Sequence, residues 1–146
     1  MRKLLFLFVM SLVSAAAVAQ QGRPFDTTIR NEECKIYIRL NLYDKNITVP
    51  GQDVLGEVDG YFGSTQSSTK WIVVASRLID GRTAEIEVVN DYGSEDLEAR
   101  LTLERDGTYT LERLKGSTMK IVVGGKWVNI PKKLTFKRPV ATKPAA

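Results

Sequence analysis

Carboxylates are the groups in this sequence best able to do chemistry, because the chain has no histidine and only one cysteine. A nucleophilic hydroxyl or thiol needs a general base beside it, and histidine is the usual base. Two carboxylates could still act together as a glycosidase pair. The candidates are Asp91, Glu95 and Asp96 in one predicted loop, and Glu57 and Asp59 on a predicted strand. No phosphate-binding loop or nucleophile elbow accompanies them, so the sequence favours a protein that is not an enzyme.

The same acidic loop, residues 91–96, could also hold a calcium ion through its oxygen atoms. It lacks the alternating Asp-x-Asp-x-Asp-Gly spacing of a known calcium loop. Asp, Gly and Ser are also the residues that ordinary solvated turns use. We therefore predict a turn here, with neither a metal nor a cofactor.

A second group of candidates consists of aromatic residues near the ends of predicted strands. Such rings line ligand cavities and interface hot spots, although they are also common in cores and at rims. They are Trp71, Trp127, Tyr61, Phe62 and Tyr92. If the protein binds a ligand, the sequence predicts that these rings contact it.

Two arginines share the alternation phase of apolar residues, Arg77 with Trp71 and Val73, and Arg113 with Tyr109. A guanidinium on an apolar face requires a partner. The internal candidates are Glu85, Glu87 and Glu112. An anionic ligand is the alternative partner, and a third possibility is that each arginine reaches solvent along its own stem.

The first residues are typical of a secretory signal peptide, because Arg2 and Lys3 precede an apolar run at 4–13 and a small-residue stretch ends at Ala19. We predict a signal peptide at 1–19 with cleavage before Gln20, the alternative being an uncleaved anchor. No later segment reaches the roughly 18–20 apolar residues that span a membrane. The expectation is an exported protein, periplasmic or extracellular, without a transmembrane segment after cleavage.

Basic residues are concentrated near the end of the chain, whose formal net charge is +4. They are Lys132, Lys133, Lys137, Arg138 and Lys143. A few charges without interleaved aromatics make a weak nucleic-acid footprint, whereas lysines on an edge strand discourage edge-to-edge pairing. We expect no nucleic-acid partner.

Short apolar alternations separated by tight-turn signals dominate the chain between residues 70 and 138. The turn signals are Asp80-Gly81, Asp106-Gly107 and Gly124-Gly125, which favour two-residue hairpin turns. Residues 94–104 could start a helix at Ser94, but an unbroken period of two favours a strand. Together these patterns predict an all-β antiparallel meander of about nine strands.

The predicted meander forms one domain at 34–138, after a flexible leader at 20–33 and before a disordered tail at 139–146. Its first strand would begin at Cys34, a small buried side chain in phase with Ile36. Glycines at 56 and 60 suggest sharp bends or close backbone approaches, and the polar segment 63–69 predicts a mobile loop.

Sequential hairpins favour a closed or partly open β-barrel, with a β-sandwich as the second choice. This architecture resembles that of the lipocalins, whose Gly-x-Trp tripeptide lies on the first strand. The only such tripeptide here is Gly125-Lys126-Trp127, near the end of the chain. The similarity is therefore one of architecture only.

These features predict a small exported protein that acts by binding or structural interaction. In one version, loops or an edge recognise a protein or a glycan surface. In the other, the barrel carries a small apolar or anionic ligand, such as an amphiphile. A carboxylate-pair glycosidase is the third possibility. The partner and the oligomeric state are open from the sequence.

Overall fold

The computed structural model describes residues 22–139. The predicted signal peptide and residues 140–146 of the predicted tail lie outside this range. Within it the chain forms twelve strands and one short 3-10 helix at Asp53–Leu55. No helix in this part is long and apolar enough to cross a membrane.

Eight strands form the main sheet. They are β1 (Asp26–Asn31), β2 (Ile36–Asn41), β5 (Gly60–Ser64), β6 (Lys70–Leu78), β7 (Thr83–Asn90), β8 (Asp96–Leu103), β9 (Tyr109–Gly116) and β12 (Lys133–Phe136). Two small ribbons pair β3 (Ile47–Thr48) with β4 (Glu57–Val58), and β10 (Lys120–Val123) with β11 (Lys126–Asn129).

The main sheet curls into a nearly closed barrel. Its strand order is β1-β2-β5-β6-β7-β8-β9-β12, and every neighbouring pair is antiparallel. Arg30 and Lys137 join the two edges through reciprocal backbone hydrogen bonds of 2.8 Å. The structure confirms the all-β antiparallel meander and the partly open barrel, with eight barrel strands and four short ones instead of about nine.

The barrel interior is filled by large side chains from alternating positions. The largest that are almost completely buried are Trp71, Tyr109, Phe25, Phe62 and Phe136. A smaller apolar cluster lies between the β3–β4 ribbon and the barrel, and comprises Ile47, Val49, Tyr61 and Ile72. Packing of this kind is the main source of stability in a domain with one core.

The prediction of a flexible leader at 20–33 is wrong, because residues 26–31 form β1 and pair with β2. Phe25 and Ile29 are both 0% exposed. Ile29 is the only apolar residue of β1, so the segment shows no period of two by itself. Pairing with β2 satisfies its backbone, which sequence periodicity cannot reveal.

Cys34 lies in the β1–β2 turn rather than on a strand. Its N–H donates to the Asn31 side chain at 2.7 Å, and Lys35 has a φ of 58°. The strand begins at Ile36, and Cys34 is only half-buried. Burial, and then the charge of Glu33, raises the pKa of the Cys34 thiol, which favours its protonated form.

Residues 94–104 contain a strand, as predicted: β8 buries Leu97, Ala99, Leu101 and Leu103 on one face. The predicted loop at 63–69 is shorter, because Gly63 and Ser64 belong to β5 and are buried.

Only one of the three turn signals makes a two-residue turn, and it is Gly124-Gly125, with φ of 58° and 78°. The other two turns are longer. In each of them an aspartate side chain accepts a backbone N–H from two residues ahead: Asp80 from Arg82 at 2.8 Å, and Asp106 from Thr108 at 3.0 Å. These local bonds favour the longer loops.

Gly60 is required by a close backbone approach, as the sequence suggested. A Cβ at this position would lie 2.5 Å from the Arg39 carbonyl oxygen. We expect Gly60→Ala to lower the free energy of unfolding by about 1–3 kcal/mol, because backbone must move to admit the methyl group.

The matched control is Gly81→Ala. A Cβ at this position would have no atom within 4 Å, and the Gly81 backbone has no positive φ. It should be neutral or stabilise the protein by up to about 1 kcal/mol, because alanine restricts the unfolded chain. Urea unfolding of the two variants measures both values. Equal values for both would contradict the close approach at Gly60.

Candidate functional site

A cleft opens at one end of the barrel, between the β7–β8 loop and the β10–β11 hairpin. Its volume is about 390 Å³. The lining residues are Thr69, Trp71, Asn90, Asp91, Tyr92, Ser94, Glu95, Lys120, Trp127 and Asn129. We call it the aromatic cleft, after Trp71, Tyr92 and Trp127.

Trp71 forms the floor of the aromatic cleft and connects it to the core. It is 2% exposed and lies opposite Asn90 at the start of β6. Its indole N–H donates to the Lys120 carbonyl at 2.9 Å. This bond fixes the β10–β11 hairpin to the barrel, and the buried side chains of Met119 and Ile121 fix it further.

The β7–β8 loop forms one wall and is held by Asn90. The Asn90 side-chain oxygen accepts the backbone N–H of Ser94 at 2.9 Å and of Glu95 at 3.3 Å. Its amide nitrogen donates to the Ser94 hydroxyl at 3.0 Å. Tyr92, at the loop tip, is 79% exposed. These local bonds fix the loop backbone that carries Tyr92.

The β10–β11 hairpin forms the other wall. Trp127 lies opposite Val122 in the ribbon and is 62% exposed. The tight turn at Gly124-Gly125 sets the register that places Trp127 and Asn129 on the same strand face, two residues apart. Tryptophan is enriched among the hot spots of recognition surfaces, so exposed Trp127 is a candidate ligand contact.

Three charged side chains border the aromatic cleft. Lys120 lies 3.8 Å from Glu95, so these two largely offset each other. Asp91 is half-buried in the loop. Among residues 22–139, no group of three His, Cys, Asp or Glu side chains is arranged to hold a metal ion.

Three of the seven predicted site residues meet in this cleft: Trp71, Tyr92 and Trp127. Phe62 does not, because it lies opposite Trp71 inside the barrel and is 2% exposed. Tyr61 points to the outer face, where its ring packs edge-on against Tyr37 with centroids 5.9 Å apart.

The buried position of Tyr61 gives a testable pH effect. Burial, followed by the hydrogen bond and charge of Tyr37, raises the pKa of Tyr61 to about 12. An ordinary tyrosine has a pKa of about 10. The stabilising contribution of the neutral phenol is therefore complete below about pH 10, and is lost as the pH rises through about 12.

Alkaline titration followed by the ultraviolet absorbance of phenolate should show a late step that Tyr61→Phe removes. The control Tyr92→Phe, at an exposed position, should keep that step. If Tyr61→Phe leaves the late steps unchanged, Tyr61 is not buried as described.

Arg77 lies outside the cleft and on the outer surface. A β-bulge between Val73 and Ala75 reverses the alternation, so Arg77 faces outward opposite Glu85. It forms an ion pair with Glu85, which also pairs with Arg100 at 2.9 Å. Bonds from Arg100, and then from Arg77, lower the pKa of Glu85.

Arg113 keeps its inward phase, opposite Ala99, but it also lies away from the cleft. Its guanidinium donates to the Thr118 hydroxyl at 3.1 Å. None of the three predicted glutamates forms an ion pair with it within the described residues.

Neither strand carboxylate proposed for a glycosidase pair, Glu57 or Asp59, lines the aromatic cleft with the loop carboxylates Asp91 and Glu95. The Asp59 side chain accepts from Ser76 at 2.5 Å, on β6. Asp59 instead pairs with Lys45 at 3.7 Å.

Four lining residues were not predicted from the sequence: Thr69, Asn90, Lys120 and Asn129. The one local signal was Asn90, since an asparagine before a Gly-Ser turn is a common turn former. Lys120 and Asn129 reach the cleft only through the docking of their hairpin.

No family model matches this chain, and no curated protein or solved structure is significantly similar to it.

Proposed function

We propose that this protein is an exported recognition domain that binds a short glycan in the aromatic cleft, without catalysing a reaction on it. The observation that carries the proposal is the pair of exposed rings on two preformed walls, Tyr92 at 79% and Trp127 at 62% exposure. The cleft volume of about 390 Å³ falls within the roughly 300–1,000 Å³ typical of ligand pockets.

A sugar suits this cleft because it has two kinds of surface. Its C–H groups form an apolar face that packs on an aromatic ring, and its hydroxyls need hydrogen-bond partners. The Trp127 ring offers the first kind of contact. The amide of Asn129 and the hydroxyl of Tyr92 offer the second. A glycan can therefore contact both walls of the cleft at once.

A protein partner would use the same rings differently. Protein interfaces of standard size bury about 800 Å² on each side. The lining of the aromatic cleft is a local concavity between one loop and one hairpin, which favours a small or narrow ligand over a broad protein surface.

Carriage of a ligand inside the barrel has less support. Phe62, Trp71 and Tyr109 are at most 2% exposed and occupy the interior. A carrier barrel leaves its interior open for the ligand. Arg113, the proposed partner of an acidic head group, already has Thr118 as its hydrogen-bond partner.

The test is calorimetry of the purified protein with a panel of short oligomers of glucose, mannose, galactose, glucosamine and N-acetylglucosamine. We expect at least one to bind saturably. Trp127→Ala should weaken that binding at least about tenfold, because a stacked central aromatic behaves as a hot spot. Tyr92→Ala should weaken it in the same direction.

The matched control is Val54→Ala, a fully exposed apolar residue outside the cleft lining. It should leave the affinity unchanged. Binding that survives both aromatic changes would place the site elsewhere. Steady release of shorter sugars from a bound oligomer would show that the protein is an enzyme after all.

A further inference from the structure

Asp91 differs from the other two charged groups of the aromatic cleft, Glu95 and Lys120, because it belongs to no ion pair in the described part of the chain. Lys120 pairs with Glu95 at 3.8 Å. No ion pair within residues 22–139 includes Asp91. With the carboxylates of Asp91 and Glu95 and the ammonium of Lys120, the lining of the cleft has a formal net charge of −1, and Asp91 is its half-buried carboxylate outside the ion pair.

The position of Asp91 within the loop places this charge beside the aromatic walls. It precedes Tyr92 directly and follows Asn90, whose side chain fixes the loop. A cation that approaches a carboxylate next to aromatic rings gains a Coulomb attraction and an attraction to the ring faces. An anion would meet repulsion from Asp91 and from the ring faces alike.

We infer that the aromatic cleft selects glycans that carry a free, protonated amine, such as glucosamine units, over acetylated or acidic sugars. Asp91 is the residue that determines this specificity. The inference rests on the proposed function, since it concerns which sugar the same cleft prefers. A lysine-rich peptide could present the same charge, but it lacks the flat C–H face that packs on Trp127.

The experiment compares short oligomers of glucosamine, N-acetylglucosamine and galacturonic acid, and oligolysine, by calorimetry, using the protein without residues 1–19, the predicted signal peptide. The wild type should bind the glucosamine oligomer about fivefold more tightly than the acetylated one, as expected for one partly exposed charge pair. The uronate should bind most weakly. Added salt should reduce the preference for the amine, because it screens the pair.

Asp91→Asn should abolish the preference while keeping the affinity for the acetylated oligomer, because the amide keeps the size and polarity of the side chain. The control is Asp53→Asn, at an exposed aspartate in the 3-10 helix and outside the cleft lining. It should retain the wild-type preference.

Failure of the inference and failure of the proposed function give different results. If the acetylated oligomer binds but the amine gives no advantage, or Asp91→Asn weakens both equally, the selection by Asp91 is wrong and glycan binding stands. If the uronate binds best, the sign of the selection is wrong. If no sugar binds, the proposed function is wrong and the inference falls with it. If oligolysine binds and no sugar does, the ligand of the cleft is a basic peptide and not a glycan.

Discussion

Replacement of Trp71 by alanine should lower the free energy of unfolding by about 3–5 kcal/mol, the range for buried large aromatic residues. Trp71 is 2% exposed and packs in the main core. The change also removes the indole donor of the Lys120 carbonyl. Because that bond holds the β10–β11 hairpin, the variant should lose ligand binding even where it remains folded.

The second tryptophan is the matched control. Trp127 is 62% exposed, so Trp127→Ala should change the free energy of unfolding by no more than about 0.5 kcal/mol. Urea unfolding followed by circular dichroism measures both variants without relying on tryptophan fluorescence. Similar losses for the two would show that Trp71 does not connect the cleft to the core.

The second large effect is expected at Phe25, in the segment that the sequence predicts to be a flexible leader. Phe25 is 0% exposed, and its ring packs edge-on against Tyr109 with centroids 6.2 Å apart. We expect Phe25→Ala to cost about 3–5 kcal/mol, since it empties a core position.

The control in the same segment is Thr28→Ala, at a half-buried position of β1 whose side chain is not in the core. It should cost less than about 1 kcal/mol. The same urea experiment applies. No loss of stability with Phe25→Ala would mean that β1 does not close the barrel in solution.

The alternation of apolar and polar residues was sufficient to predict most strands, because one face of each strand is buried. β8 is the clearest example: its buried leucines and alanine recur at every second residue. β1 was missed because a single apolar residue, Ile29, cannot produce a period. Arg77 was misplaced because a bulge at Val73–Ala75 reverses the phase, and nothing in the local sequence marks that bulge.

The candidate site was only partly predictable for a different reason. The sequence identified Trp71, Tyr92 and Trp127 one by one, as rings near strand ends. Their meeting depends on contacts between distant parts of the chain, such as the bond from Trp71 to Lys120 across 49 residues. Such contacts require the closed barrel, so the sequence could not distinguish these three rings from Tyr61 and Phe62.

The most direct test of the central claim is to locate a bound sugar by nuclear magnetic resonance, using the oligomer with the highest affinity in the panel. We predict that the largest chemical-shift changes fall on the Trp127 indole N–H, the Asn129 side-chain amide and the backbone N–H of Tyr92, all from residues that line the aromatic cleft. Signals from Gly81 should not move. Largest changes at Arg30 and Lys137, where the barrel edges meet, or at the interior Phe62, would contradict the account.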